Sequence, residues 1–516
     1  MILPDDTPES PTKSRAAALS DVGSDEFAAP PPAYPGNTSS QRLDQEAESS
    51  TPQAVLVQLD YTSHHYVRPD HSAHNHVRAE RASIRFLKAL GIGFLVWIVV
   101  VAFARSAFAV AQWRMPQHPE KGSNPGGSPA DVLLPRPLPS DGKVERCVRA
   151  SSQLRARALK KESVASFNLP LFSDALYIFA RGALARGSIN LLPADDGSVP
   201  RNTVQVDITT TYEAKYALDM VNICLLERLD DQKGIGILTP SEDTQFPSPL
   251  SFRIDVRFPI TRNIWDKVRI RSFETDLPHF EHTVSDLIRR VHFDSISLSS
   301  SNMPMHSDYL AAGHASLTTS NAKITGNFNV SRSLFIKTSN DVVTTDIALG
   351  PGYRYGLQFT NLTILNENSP IDARVAVANT TQWNGGNYDM LVRTSNSPLS
   401  LNITSQPLRA RLVVYARTEN APASISLPTT YEGSYQASTT NGHATVKCDA
   451  SGLDPAGNNR TRVCELEEER REFAKGWTTW GRSLSGWGHG DGDVNVFTTN
   501  APVSLTTVER PKDIAS

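Results

Sequence analysis

Apolar and polar residues alternate with a period of two along much of the chain beyond residue 144. Residues 204–209 (VQVDIT), 252–258 (FRIDVRF) and 268–271 (VRIR) each put an apolar side chain at every second position. Successive strand side chains point to opposite faces, so this pattern predicts strands with one buried and one wet face. The apolar run Ala175 to Ala180 is also of strand length. From Ser295 onward the alternation is punctuated by a recurring corner, in which two mostly small polar residues are followed by Asn and then, a few positions on, by another apolar residue. The instances end at Asn302, Asn321, Asn340, Asn368, Asn396, Asn420, Asn441 and Asn500. Their spacing runs 19, 19, 28, 28, 24 and 21 residues, then one long gap. That is the range over which coils of a repeat array recur. Asn tolerates a left-handed backbone and bonds to nearby backbone groups, so it turns a strand through a corner. In stacked coils these amides would align and bond to one another. The pattern predicts a mostly β protein with a stacked β-repeat (β-solenoid) ectodomain. A β-sandwich with ordinary hairpin turns is the alternative.

The N-terminal fifth has a different pattern. Residues 1–77 are rich in Pro, Ser, Asp and Glu and show no sustained periodicity, which predicts a disordered tail. Residues 86–111 contain the uncharged run ALGIGFLVWIVVVAFA (89–104), bracketed by Lys88 and Arg105. This predicts one transmembrane helix whose flanking cations snorkel to the headgroups, with Trp113 at an interface. More cations precede the span (Arg68, Arg78, Arg81, Arg85, Lys88) than follow it (Arg105, Arg114, Lys121), which favours a cytoplasmic N-terminus. The chain reads as a signal-anchor protein with a lumenal or extracellular C-terminal domain. Residues 115–143 form a Pro/Gly/Ser-rich stalk, 144–294 a β-rich first part and 295–510 the repeat region. Within the last, Cys464 to Lys475 is dense in Glu and Arg at helical spacings and predicts a helical insertion near 463–476.

A hydrophobic content of 39%, a charged content of 20% and a net charge of -3 suit a packed domain and give no reason to expect a nucleic-acid partner. All four cysteines follow the span, which permits two disulfides: Cys448 with Cys464 across a short loop, and Cys147 with Cys224. Sequons at Asn329, Asn361, Asn379, Asn402 and Asn459 fit a glycoprotein. In the tail, Pro31-Pro32-Ala33-Tyr34 matches the Pro-Pro-x-Tyr ligand of WW domains. His64, His65, His71, His74 and His76 read as a solvated juxtamembrane stretch.

Chemistry is sparse. There is no nucleophile elbow, metalloprotease helix, phosphate loop or dinucleotide fingerprint, and no cofactor is expected. His279 and His282 fit no zinc spacing, and 488–493 (GHGDGD) reads as a turn. Trp477, Trp480 and Trp487 are expected to cap the apolar core, with stacking on sugar rings as the alternative. The acids Asp294, Asp308, Asp341, Asp346, Glu367, Asp372 and Asp389 are scattered.

Segments 334–343 (LFIKTSNDVV) and 390–399 (MLVRTSNSPL) resemble the strand-turn-strand unit of the bacterial putative-adhesin family. The layout of tail, anchor and repeat domain is similar to that of uncharacterised single-pass membrane proteins of fungi. The resemblance implies surface location and no known activity. The expected function is therefore non-enzymatic adhesion or contact with cell-wall polysaccharide. The expected partners are the lipid bilayer, such a polysaccharide or another surface protein, and a WW-domain protein at the tail. The alternative is a carbohydrate-active enzyme, a polysaccharide lyase or hydrolase, on a β-solenoid.

Overall fold

The structure, a computed structural model, describes residues 135–150, 161–194, 197–229, 231–240, 250–260, 267–350, 359–378, 385–481 and 492–508. They lie in one compact unit, Gly122–Ser516. The expected tail, the span at 86–111, most of the stalk, Pro31, Pro32, Tyr34, Asn379 and Trp487 fall outside the described residues. Among the described residues no helix is long and apolar enough to cross a membrane.

The described chain is almost entirely strand. Before the repeats come β1 (Lys143–Arg149), β2 (Glu162–Pro170), β3 (Ala175–Arg181), β4 (Gly187–Pro193), β5 (Thr203–Tyr212), the short helix α1 (Lys215–Asp219), β6 (Asn222–Arg228), β7 (Gln232–Leu238) and β8 (Leu250–Phe258). The repeats comprise β9 (Val268–Asp276), β10 (Phe280–Asp286), β11 (Val291–Ser299), β12 (Met305–Thr318), β13 (Ile324–Lys337), β14 (Val343–Leu349), β15 (Phe359–Leu365), β16 (Ile371–Val377), β17 (Asn387–Arg393), β18 (Leu399–Ser405), β19 (Arg411–Arg417) and β20 (Ala423–Pro428). The C-terminal group is β21 (Gly433–Thr439), β22 (Ala444–Lys447), β23 (Arg462–Arg470), β24 (Phe473–Trp480), β25 (Gly492–Thr498) and β26 (Val503–Val508).

Pairing organises these strands into two ladders. The first runs β2, β5, β8, β4, β10, β12, β13, β14, β16, β18, β20, β26, β22. The second runs β1, β6, β7, β3, β9, β11, β12, β13, β15, β17, β19, β25, β21, β24, β23. The chain passes from second ladder to first at each Asn corner and returns at the opposite corner, so it winds in coils. β12 and β13 belong to both ladders, and β12 turns the return corner at register shifts, between Ser307 and Leu310 and between Ala312 and His314. From β8 to β22 and from β7 to β21 every neighbour is parallel. Antiparallel pairs, which a hairpin sandwich would need throughout, are confined to the ends of the ladders.

Alternation explains the winding. Along each strand the inward positions are apolar and stack in register with those of the next coil, as in the row Ile324, Val343, Ile371, Leu399, Ala423, Val503 and Ala444. These side chains form one continuous core that extends from Ala150 to Leu505. Each buried Val, Ile or Leu is worth about 1.5–3 kcal/mol. Strand β3 departs from the alternation because both its faces are covered. Its outward Tyr177 and Phe179 pack with Cys224, Leu226 and Leu238 in a small second cluster. A Cβ on Gly234 would lie 2.3 Å from the Tyr177 ring, so a side chain there would displace it.

Residues 144–294 are thus the start of the same coil stack. The expected helix near 463–476 is not present: those residues form β23 and β24, an antiparallel pair laid on β21. The exposed edge of β21 offers a full set of backbone partners, and this outweighs the local helical preference of a Glu/Arg-rich segment. The ends of the ladders are also where the cystines lie. Cys147 on β1 is bonded to Cys224 on β6, and Cys448 after β22 to Cys464 on β23. End coils have a neighbour on one side only and fray first, so cross-links there restrain the part most ready to open.

Candidate functional site

The Asn corners form a column. Asn321 Nδ2 donates to Asn302 Oδ1 at 2.7 Å, Asn340 to Asn321 at 2.7 Å, Asn368 to Asn340 at 2.8 Å, Asn396 to Asn368 at 2.8 Å and Asn420 to Asn396 at 2.8 Å. The column continues out of chain order: Asn500 donates to Asn420 at 2.7 Å and Asn441 to Asn500 at 2.8 Å. The C-terminal coil is therefore inserted between two coils that follow each other in sequence. Behind the exposed amides, the backbone N–H groups of Ser320 and Asn321 share the Ser301 carbonyl, and those of Ser339 and Asn340 share that of Ser320. The first corner residue points inward, and Thr338, Thr394, Thr418 and Thr498 are fully buried. The corner satisfies its own polar groups coil against coil, which makes it structural.

Other residues singled out by sequence lie apart. His282 is buried, with Nε2 2.9 Å from Thr275 Oγ1 and Nδ1 3.0 Å from the Phe280 carbonyl, and burial pulls its pKa down to about 4. His279 Nδ1 instead meets Asn302 Nδ2 at 3.4 Å, at the foot of the amide column. Trp480 is buried and its indole N–H donates to the Thr429 carbonyl at 2.8 Å. Trp477 is half-buried on β24. Among the sequons, Asn402 is exposed on the outer face of the first ladder and Asn361 on that of the second, while Asn329 is half-buried in β13 and Asn459 lies in a loop with φ 52°. Among the described residues no cluster of His, Cys, Asp and Glu could hold a metal ion.

The two outer faces differ. On the first, one register row reads Thr283, His306, Thr325, Thr344, Asp372, Ser400, Ser424, Ser504 and Thr445, all small or polar. Within it His306 Nδ1 lies 2.9 Å from Thr325 Oγ1, and its Nε2 lies 3.2 Å from Asp308. On the second face the matching row reads Ser316, Phe335, Thr363, Leu391, Tyr415 and Asn495, and its neighbour Lys337, Leu365, Arg393, Arg417 and Phe497. Tyr415 is 37% exposed and Phe359, at the far end of the same face, 40%. The Arg417 guanidinium lies 5.3 Å from the Phe497 ring centre and that of Arg411 5.8 Å from Phe359. Glu419 holds Arg393 at 3.2 Å and Arg417 at 3.6 Å, fixing two guanidinium groups on this face. Sequence reasoning missed this face, although the signal was there: Phe, Leu and Tyr at positions that alternation assigns to solvent.

Residues 314–452 match a domain of unknown function, DUF7330. That segment runs from the end of β12 through β22 and contains most of the aromatic face. No curated protein sequence matches the chain. Among solved structures, the chain is similar to a "putative cell adhesion protein" from Clostridium sporogenes, at 8% identity and a TM-score of 0.15, over 68% of this chain and 100% of that one. It is also similar to a "putative adhesin" from Parabacteroides distasonis, at 9% identity and a TM-score of 0.24, over 67% of this chain and 97% of that one.

Two carboxylates share a row of the second face. Asp389, Val413 and Asp493 are successive register partners on β17, β19 and β25. With strands about 4.8 Å apart, the two acids stand roughly 9.6 Å from each other along the backbone. Burial raises the Asp389 pKa, against the opposing pull of Arg411. Asp493 accepts hydrogen bonds from Ser434 Oγ at 2.8 Å and Asn495 Nδ2 at 2.8 Å.

Proposed function

We propose that this is a non-enzymatic, membrane-anchored surface protein that contacts cell-wall polysaccharide through the outer face of its second ladder. The carrying observation is a pair of neighbouring rows, one holding Phe335, Leu391 and Tyr415 and the other Arg393, Arg417 and Phe497, on a face with no covering layer among the described residues. A sugar ring presents C–H faces that pack on aromatic rings and hydroxyls that accept from guanidinium groups, so rows of both in register suit an extended glycan. In this reading residues 86–111 are the membrane anchor and the N-terminus is cytoplasmic. The two cystines support placing the coil stack in an oxidising compartment. The sequons away from this face, such as Asn402, would carry glycans there, with the WW ligand at Pro31, Pro32 and Tyr34 left on the cytoplasmic side.

The test is retention of the full-length protein on insoluble wall polysaccharides. Tyr415→Ala combined with Arg417→Ala is expected to weaken retention at least tenfold while leaving thermal stability nearly unchanged. Equal retention by the double variant would remove the assignment of this face. Full occupancy of Asn361 by an N-glycan would also remove it, because that residue stands in the row containing Asp389.

A second reading, a glycan hydrolase, draws support from Asp389 and Asp493. Two carboxyl groups on one row, at a separation near the 6.5–9.5 Å of inverting enzymes, are the pairing such chemistry needs, and burial raises the pKa of one of them, Asp389. Release of reducing sugar that is abolished by both Asp389→Asn and Asp493→Asn would favour it. Activity that survives either change would exclude this pair.

A further inference from the structure

The C-terminal coil occupies a place that its neighbours in sequence would otherwise share. Elsewhere in the amide column from Asn302 to Asn420, bonded partners are 19 to 28 residues apart. Asn420 and Asn441 are 21 residues apart, within that range, yet Asn500 stands between them, 80 residues beyond the first. β25 likewise separates β19 from β21, and β26 separates β20 from β22. The flanking coils are joined by only four residues, Thr429 to Glu432. The inserted coil is reached through ten residues, 482–491, three of them glycine.

The flanking coils match each other as well as they match the insert. Removing β25 would bring inward Val414 opposite Tyr435 and Ala416 opposite Ala437, with Ala423 opposite Ala444 in the first ladder. These are apolar pairs in unbroken register. The sequence is therefore compatible with two arrangements, one with the slot closed and one with it filled. The filled state has four strand ladders in place of two and buries Val494, Val496, Val503 and Leu505. None of its contacts depends on the coil belonging to the same chain, because they are backbone pairing, corner amides and small polar contacts such as Ser504 Oγ to Ser424 Oγ at 3.1 Å.

We propose that the slot between coils β19/β20 and β21/β22 is a strand-exchange site whose other occupant is the 492–508 coil of a second copy of this chain. Exchange would link two copies reciprocally and re-form the same ladders and amide bonds within each slot, so the self-filled monomer and the exchanged dimer share their slot contacts. Ten residues span up to about 33–36 Å when extended, enough to reach a neighbouring molecule. The exchanged coil carries Phe497 of the aromatic face but neither Tyr415 nor Arg417, so exchange and glycan retention are read out separately.

The test uses full-length protein carrying either of two fluorophores and a variant with Ser424→Cys and Ser504→Cys, which the 3.1 Å approach of the two hydroxyls permits to cross-link. The expected result is that mixed copies slowly form dimers carrying both fluorophores. The oxidised double-cysteine protein should form at least tenfold fewer, and cleavage of that added bond should restore them. Dimers that form equally well in the cross-linked protein would place association elsewhere, and absence of mixed dimers from the wild type would show that the slot does not exchange. Hydrogen exchange gives an answer without a variant. Amides of β25 and β26 should exchange as one group and faster than those of β16 and β18; equal protection of the two groups would overturn the proposal.

Discussion

The two outer faces of the coil stack rest on the same inward rows and the same corners, yet one is lined with Thr, Ser and Asx and the other with Phe, Leu, Tyr and Arg. Inward positions answer to the core, where volume and polarity are constrained by the coils above and below. Outward positions answer to whatever the face meets, and the winding tolerates either character. The contrast separates residues that hold the stack from residues available for contact, and it can be tested at both kinds of position.

The largest effect belongs to the inward rows. Val375, fully buried on β16, is flanked in its row by Ile347 and Ile403. Val375→Asp is expected to cost roughly 4–5 kcal/mol, enough to lower the melting temperature by on the order of 10 °C. A calorimetric scan that shows no change would mean that this row is not core. Next comes His282, the one charged-type side chain the inward rows of the first ladder enclose at β10. Its folded pKa of about 4 lies below the 6.5 of the open chain, so the unfolded state binds more protons between those values. Stability is therefore complete above pH 6.5 and is lost as the pH falls toward 4, by at most about 1.4 kcal/mol per pH unit. Denaturant titrations of His282→Gln should show a flatter dependence over that window, and an unchanged slope would assign the loss to other groups.

Smaller effects sharpen the contrast further. Asn396→Ala removes two amide-column bonds at an exposed corner where water can replace them, so a loss of about 1 kcal/mol is expected in urea unfolding. Smallest of all should be the outward positions: Thr344→Ala on the first face and Tyr415→Ala on the second are each expected to move stability by about 0.5 kcal/mol or less. Of these two only Tyr415→Ala should reduce retention on polysaccharide. If Thr344→Ala does so as well, the functional difference between the faces disappears.

The strands and corners were legible because both are local: alternation reports one wet face, and Thr-Ser-Asn reports a turn. Order along the stack was not, because parallel pairing joins residues far apart in sequence and nothing near Asn500 marks it as the neighbour of Asn420. The same limit hid the fate of Cys464 to Lys475, where helical charge spacing is genuine but the unfilled edge of β21 supplies a stronger partner. Residues 144–294 gave no such corner motif, so their continuity with the repeats emerges only in the ladders. The aromatic face was readable in principle from Phe335, Leu391 and Tyr415, residues whose size conflicts with the solvent positions that alternation assigns them.

The amide column also gives the stack an electrical direction. All seven bonds along it point the same way, each Nδ2 toward the next lower coil and each Oδ1 toward the next higher. Side-chain dipoles aligned in series polarise one another and add, as peptide dipoles do along a helix. The positive pole falls at Asn302, whose side-chain nitrogen faces His279 Nδ1. The negative pole is the Asn441 carbonyl at the opposite end of the column.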